Sequence, residues 1–506
     1  MQDKYDVVIV GGGPAGLYTA YGLVSKDHDR KITEKSNFRI AIIEKGKSLK
    51  NRKCPAIEKS TKCVGCKDCS IMTGIGGCGS FSDGKFPITN DFGGNLWEKI
   101  GKDKSIKLQR EVDKFNRRFY LRTRGLSDSQ IEWTEIGCNQ DAFKGKVDDF
   151  PELFSSKRSN YKKICIQHNL RLLDADIRHL GTDKGQVVYN QLYNELINAG
   201  VEFLTETEVT NVMRNPDLDT KDEYAYWVGT KSNGFYAKQV VVAAGRSGSK
   251  WVSNICKNLN IETKANKVDI GVRFECPNEV WDHVTKELYE SKIVYKTKLY
   301  QDNVRTFCMN PSGEVVNENT NGIITVNGHA FEDAEMKTGN TNFAILVSTE
   351  FTDPFNDSNG YGEAVVRLSN MLGKGVVVQR YGDLIRGRRS TKEHIKHNTV
   401  VPTLNAEPGD LSWILPKRPL DDILEMIEKL DHLVPGMTND DNLLYGVELK
   451  QYNMTVDVNE NLEAKNYKGL YFIGDGAGWT HSLSQSSASG LYVSEKILES
   501  LEEEKV

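Results

Sequence analysis

Six residues near the start of the chain constrain its fold more than any other feature. Gly11-Gly12-Gly13-Pro14-Ala15-Gly16 follows the apolar run Asp6 to Val10 (DVVIV) and opens a second apolar run, Leu17 to Val24. A G-x-G-x-x-G spacing is weak evidence alone. Between a buried strand and a helix start it has a mechanical meaning. The first glycine permits a tight turn, the second lets backbone approach a pyrophosphate, and the third lets helix and strand pack closely. The helix N-terminus then offers unpaired N–H groups and the positive end of its dipole to the phosphates. Phe38 to Glu44 (FRIAIIE) reads as the next buried strand, after a polar stretch from Ser25 to Asn37. Strand, glycine turn, helix and strand make a βαβ unit with a parallel sheet. Glu44 ends the second strand, where an acid can hold both ribose hydroxyls, and it lies 28 residues after Gly16. That is longer than the usual ~20, and the polar insertion accounts for the excess. Val7 to Val24 has the length of a short membrane span, but five glycines and a proline argue for strand, turn and helix.

The chain has 506 residues, enough for roughly two large domains or three ordinary ones. Hydrophobic residues make up 38% and charged residues 27%, a globular composition. The net charge of −4 excludes a nucleic-acid binder working through bulk positive charge, so no nucleic acid is expected as partner. The N-terminal flank MQDKYD lacks the basic region of a signal peptide, and no membrane span is expected. A cytoplasmic location follows as the expectation. Helices are predicted at Ile106 to Tyr120, within Glu152 to Leu170, at Gly185 to Ala199, at Leu420 to Leu433 and from about Gln485 to Leu501. Strands are predicted at Val201 to Leu204, Thr207 to Met213, Gln239 to Ala243, Val268 to Phe274, Gly322 to Val326, Asn342 to Ser348 and Leu470 to Ile473. Gly46 to Gly94 reads as loop. The strands of the first sheet come from the beginning, middle and end of the chain, so the domains are interleaved.

The fingerprint does not choose between dinucleotides. The C-terminal part does. Gly469 to Gly478 (GLYFIGDGAG) resembles the second motif of FAD-dependent oxidoreductases of the glutathione-reductase type. Val240 to Gly245 (VVVAAG) resembles their strand-to-glycine crossover. Three further segments carry a closer likeness: KCVGCKDCSIMTGIGGCGSFSDGK, RHLGTD at Arg178 to Asp183, and GDGAGWTHSLSQSSASG at Gly474 to Gly490. With GVRFE at Gly271 to Glu275 they resemble the poorly characterised FAD-dependent dehydrogenases described only as FAD-utilising proteins. The likeness spans nearly the whole chain and is almost silent on substrate.

This resemblance implies an α/β fold: a Rossmann-like FAD-binding domain (parallel sheet with an antiparallel crossover) interleaved with an α+β substrate domain. The FAD domain is expected to use 1–85, 165–265 and 445–506, and the substrate domain 86–164 and 266–444. FAD contacts are implied at Gly11, Gly13, Pro14, Ala15 and Gly16, at Glu44 and Lys45, and at Gly76, Gly77, Gly79 and Ser80, with Ser82, Asp83 and Lys85 following at the active-site edge. Further contacts are implied at Val209, where a strand passes adenine, at Ala244 and Gly245, at Gly474 and Asp475, and at Gln485, Ser486, Ala488 and Ser489. Asp475 would bond a ribityl hydroxyl, and the helix after it would aim its positive end at the flavin and stabilise the reduced form. Cys78 departs from the small residue expected in GGCGSFSDGK, which puts a thiol where backbone passes the flavin.

Five of the ten cysteines fall between Cys54 and Cys78. Cys54, Cys63, Cys66 and Cys69 give C-x8-C-x2-C-x2-C. The C-x2-C-x2-C core matches bacterial ferredoxin ligation, with the C-P element moved to the front. Four thiolates also suit zinc. Spacing leaves three readings open: a [4Fe–4S] cluster feeding electrons to the flavin, a structural zinc, and free redox thiols. Cys138, Cys165, Cys256, Cys276 and Cys308 are scattered and read as small core residues.

Catalytic candidates are His481, a proton donor beside the Asp475 turn or a local hydrogen-bond partner, Cys78, and Arg273, which would fix an anionic substrate or form a structural salt bridge. His179 stands in the RHLGTD segment. The basic run Arg386 to Ser390 (RGRRS) suits phosphate or carboxylate, or a solvated surface. No second strand–G-x-G-x-x-G–helix occurs, so a nicotinamide domain is not expected. The expected function is an FAD-dependent oxidoreductase acting on a small organic substrate, with a ferredoxin-like or NAD(P)H donor as candidate electron partner. The alternatives are a flavoprotein redox sensor or electron-transfer module, and an FAD-dependent RNA-modifying enzyme.

Overall fold

The computed structural model describes residues 4–25, 32, 35–55, 66, 68–82, 84–135, 140–215, 224–288, 290–320, 322–330, 334–351, 354–355 and 357–503. Strand β1 (Lys4–Val10) lies parallel between β2 (Ile40–Ile43) and β3 (Gly234–Val242). Glu202–Leu204 extends the sheet beyond β2, and Leu470–Phe472 runs parallel to the far half of β3. The near half of β3 folds back antiparallel through Tyr226–Thr230 to Val209–Arg214. The result is a seven-stranded, mostly parallel sheet with an antiparallel crossover. Its central strands are apolar on both faces, as a sheet covered by helices requires.

Helix α1 (Pro14–Val24) starts at the glycine turn and is buried along nearly its whole length. Helices α2 (Lys102–Thr123), α3 (Gly181–Asn198) and α4 (Leu483–Glu503) complete the same unit. Gly490 of α4 packs so closely on α1 that a Cβ there would stand 2.3 Å from the Ala15 carbonyl oxygen. Contacts divide the chain into two units. The first comprises Met1–Leu153, Ile177–Lys264 and Asn453–Val506, and the second Phe154–Asp176 and Ala265–Tyr452.

The segment 86–153, expected in the substrate domain, therefore falls in the first unit. Its place follows from α2. Tyr18 of α1 donates to Asn116 Oδ1 at 2.6 Å, Tyr21 meets Phe115 and Phe119 edge-on, and Lys104 pairs with Glu495 of α4. The helix expected between Glu152 and Leu170 is confined to Tyr161–Gln167, in the second unit.

The second unit is built on an eight-stranded sheet in which all pairs but one are antiparallel. Its main strands are β4 (Val268–Pro277), β5 (Asn303–Asn310), β7 (Asn340–Thr349) and β8 (Leu443–Gln451); β6 (Ile323–His329) forms a hairpin with Glu314–Thr320. Side chains alternate across β4. Val268, Ile270, Val272 and Phe274 enter a core also built from Ser358–Gly373 and Lys417–Asp431. Asp269, Arg273 and Glu275 point to the other face, which they share with a small apolar cluster that includes Leu443 and Tyr445. Val7 to Val24 is strand, turn and helix, and among the described residues no helix is long and apolar enough to cross a membrane.

Candidate functional site

The glycine turn is held from both sides. Gly11 adopts φ +112, and a Cβ there would meet the Ala243 carbonyl oxygen at 2.6 Å, so only glycine lets β1 and β3 end this close together. At Gly16 a Cβ would stand 2.0 Å from the Gly11 oxygen. Helix α1 begins at Pro14, with no side-chain cap and no acid in its first turn. Nothing in that turn repels an anion at the helix end.

Two other glycine segments of the same unit meet this turn. Gly76 N donates to Gly12 O at 2.8 Å, and Gly77 lies against Gly13 and Pro14. Gly476 N donates to Ala244 O at 2.8 Å, and a Cβ on Gly474 would be 3.3 Å from Ala15. A Cβ on Gly79 would touch the Tyr189 hydroxyl of α3 at 2.9 Å. That hydroxyl is buried and has no hydrogen-bond partner, as is Ser487 Oγ in the first turns of α4.

Glu44 does more than end a strand. Its carboxylate accepts from Gly12 N at 2.8 Å and from Gly46 N and Gly74 N, both at 2.9 Å. It joins the first glycine turn to the segment leading into Gly76. A carboxylate has about four acceptor positions, so one remains for a hydroxyl. Lys45 pairs with Asp68 and Glu208, next to Val209.

Arg52 was not singled out by sequence reasoning. It is buried and donates to the carbonyls of Ser70, Ile71 and Ile75 and to Ser80 Oγ, at 2.6 to 2.8 Å. It also stacks over Phe81. Burial pulls its pKa down to about 10 against the pull of Glu44. Its position among lysines in KNRKCP gave no signal of this. Ser80 is turned to Arg52 and Gly77 O, so its hydroxyl serves the loop.

Asp475 sits between His481 Nδ1, at 2.9 Å from Oδ1, and Arg246 Nε, at 3.1 Å from Oδ2. Burial alone would raise its pKa, but the His481 hydrogen bond and the Arg246 charge win and hold it well below the usual carboxylate range. The Cys78 thiol is open to solvent yet recessed. Surrounding protein pushes its pKa up, Asp475 adds to that, and Arg246 and Arg52 oppose it. A raised pKa keeps it a thiol at neutral pH, which is unlike an activated nucleophile.

Several expected contacts have other roles. Gln485 spends its side-chain amide on Thr89 O, Phe92 O and Leu96 N, pinning that loop to α4. Ser486 bonds Thr480 and Ser489 bonds Ser486 O, while Ala488 is core. Gly245 has open space where a Cβ would stand. Arg178 is bound to Asp113 and the Pro151 carbonyl. His179 is buried.

Arg273 does not offer itself to an anion. It is fully enclosed in the second unit and donates to Asn342 Oδ1, both Glu448 oxygens and Cys308 O. Gly328 of β6 lies directly on its guanidinium. In the RGRRS loop, buried Asp383 binds Arg388, Ser390 and His394. Cys63 and Asp83 lie outside the described residues. Cys54 and Cys69 are half-buried and Cys66 is exposed. Among the described residues no three His, Cys, Asp or Glu side chains gather to hold a metal.

Residues 267–451 match the family described as FAD-dependent protein, C-terminal domain-like. The match nearly coincides with the long segment of the second unit, Ala265–Tyr452. The match agrees with the resemblance to FAD-utilising proteins read from the sequence. An uncharacterised protein of Clostridium beijerinckii is 25% identical over 339 residues, which is 63% of this chain and 62% of that protein. Among solved structures, glycine oxidase from Geobacillus kaustophilus has 12% identity and a TM-score of 0.39, over 98% of this chain and 95% of its own. L-proline dehydrogenase from P. horikoshii also has 12% and 0.39, over 99% and 95%. Halogenase PltM has 10% and 0.40, over 99% and 71%. Values this low transfer neither substrate nor chemistry.

Proposed function

We propose that the chain is an FAD-dependent oxidoreductase whose first unit holds FAD and which acts on a small organic substrate. One observation carries this reading. Three glycine segments far apart in sequence meet within one unit: Gly74–Gly79 is joined to Gly11–Gly16 by a backbone hydrogen bond, and Gly474–Gly478, bonded to Ala244, lies against Ala15. They adjoin an uncapped helix start and the unpartnered Tyr189 hydroxyl. Such a cradle suits a pyrophosphate and a planar ring system, and a buried hydroxyl without a partner is costly unless a ligand bonds it. FAD, when bound, supplies hydride and electron transfer. The protein's part is to bind the pyrophosphate at the glycine turn and the adenosine ribose at the remaining acceptor of Glu44. His481, oriented by Asp475, is the candidate proton donor at this site.

The finer readings rest on spacing and resemblance alone. They are a [4Fe–4S] cluster or zinc at Cys54, Cys63, Cys66 and Cys69, a ferredoxin-like or NAD(P)H donor, and a cytoplasmic location. Protein purified without oxygen tests the proposal. The expected result is a flavin spectrum and FAD released on heating. Absence of flavin from protein reconstituted with excess FAD overturns it. Iron, acid-labile sulfide and zinc contents, read on the same sample, decide the cysteine readings.

A further inference from the structure

His481 is held by its main chain as well as by its ring. Its Nδ1 lies 2.9 Å from Asp475 Oδ1. Burial favours the protonated acid, but His481 and Arg246 keep Asp475 ionised at neutral pH. A carboxylate can only accept, so Nδ1 is the donor of this pair. The His481 N–H donates to Gly93 O at 2.8 Å, Asn95 N donates to Trp479 O at 2.8 Å, and Gly94 bridges Thr480 in antiparallel register. Residues 89–96 therefore run as a strap along 479–481, within the first unit. The fit is tight: a Cβ on Gly94 would stand 2.6 Å from Trp479 O and 2.7 Å from Gln485 Oε1.

Two fully buried glutamines hold the strap. Gln109 of α2 accepts from Thr89 N at 2.9 Å and donates to Ser105 Oγ at 3.1 Å. Gln485 of α4 donates to Thr89 O at 3.2 Å and to Phe92 O at 3.1 Å, and accepts from Leu96 N at 3.4 Å. All three are main-chain atoms, at the start, middle and end of the strap. Gln485 therefore fixes the path of the strap whatever side chains it carries, and the Phe92 carbonyl it holds is next to the Gly93 carbonyl that receives His481. The acceptor of the imidazole is anchored separately. Asn453 donates to Asp475 O at 2.7 Å, and Arg246 Nε lies 3.1 Å from Asp475 Oδ2. Asp475 stays in place when the strap moves, so a shift of the strap separates Nδ1 from its carboxylate.

We propose that Gln485 is a positioning residue for His481: it sets the strap 89–96, and the strap sets the main chain from which the imidazole reaches Asp475. This rests on the reading of His481 as the proton donor and adds the residue that keeps it in place.

The test uses flavin-loaded protein. The Nδ1–H of His481, bonded to a carboxylate, should give a low-field proton NMR resonance, assigned by its loss in His481→Gln. Gln485→Met keeps the side chain's length and removes its hydrogen bonds. It should keep the parent's FAD-to-protein ratio, lose or broaden that resonance, and speed amide exchange at 89–96 and 479–481 together by about tenfold, the worth of one hydrogen bond. Gln485→Glu retains the acceptor for Leu96 N and loses both donors, and it reads the same change if Gln485→Met does not fold. An intact resonance in a variant whose strap exchanges faster would overturn the proposal. So would loss of FAD in step with the resonance, which would make Gln485 a cofactor contact. In the parent, a strap that exchanges as unprotected chain while 479–481 stay protected would overturn it without any variant. His481→Gln addresses the underlying reading separately: an unchanged pH dependence of the flavin reduction potential would remove the proton-donor role itself.

Discussion

Replacing Arg52 by Met should detach the Gly74–Gly79 segment from the rest of the first unit. The side chain is almost fully buried and makes four hydrogen bonds, three to main-chain carbonyls and one to Ser80 Oγ. Bonds from a charged donor contribute about 1.5–3 kcal/mol each. Their gross worth is thus roughly 6–12 kcal/mol. Removing the charge also removes its desolvation cost, whose presence shows in a pKa drawn down to about 10. The carbonyls of Ser70, Ile71 and Ile75 would then lose a buried partner. Breaking a buried charged contact from one side typically costs 3–5 kcal/mol, and we expect a net loss of about that size. In a unit this large it lowers the melting temperature by roughly 6–15 °C. Thermal melts followed by flavin fluorescence and by circular dichroism read both consequences, and the FAD-to-protein ratio after gel filtration should fall well below that of the parent. Arg52→Lys should recover only part, because an ammonium cannot reproduce the planar fork. Full flavin occupancy with a melting point within about 2 °C of the parent would refute the assignment of Arg52 as the clamp of this loop.

Three further outcomes are expected. Gly16→Ala places a Cβ 2.0 Å from the Gly11 oxygen, so α1 must move off β1; FAD affinity, measured by fluorescence titration of the apoprotein, should drop at least tenfold. Asp475→Asn removes an acid whose pKa is depressed in the fold, chiefly by His481 and Arg246 against the effect of burial. A depressed carboxylate stabilises above its unfolded value of about 3.9 and loses that contribution as pH falls toward the folded value. The variant should therefore be less stable than the parent at pH 6, and the gap in urea midpoint should close below about pH 4. Asp422 is the opposite case: burial raises its pKa to about 6, with Asp302 adding to the rise. Folding then favours its protonated form, so its contribution declines as pH climbs from about 4 to 6. Asp422→Asn should lessen that decline in the pH dependence of unfolding, and an unchanged profile would show that Asp422 does not titrate there.

Legibility in the sequence followed locality. The βαβ unit could be read because each part depends on near neighbours: an apolar run, three glycines at fixed spacing, a second apolar run. The strand Gln239 to Ala243 and the turn at Gly474 were equally readable, since a buried parallel strand must be apolar throughout and must stop where the chain turns. The segment 86–153 was misassigned for the opposite reason. Amphipathic α2 announces that it packs on something, and only the fold shows that Tyr18, Tyr21 and Glu495 are the residues it meets. Motif membership also proved a poor guide to which arginine is accessible. Arg273 lies in a resembling motif and is enclosed.

By itself, the sequence determined the sheet's first strands and the phosphate-type turn, because backbone sterics and helix dipoles act over a few residues, whereas FAD entered only through the resemblance of Val240 to Gly245 and Gly469 to Gly478 to known motifs. The tertiary structure alone decided how side-chain polar groups are spent. Glu44 collects three backbone N–H groups, Gln485 is consumed by the loop at 89–96, and Arg52 holds the segment on which the cradle depends. The physical reason is that a buried donor or acceptor must find a partner, and which partner it finds depends on groups tens to hundreds of residues away that only folding brings within 3 Å.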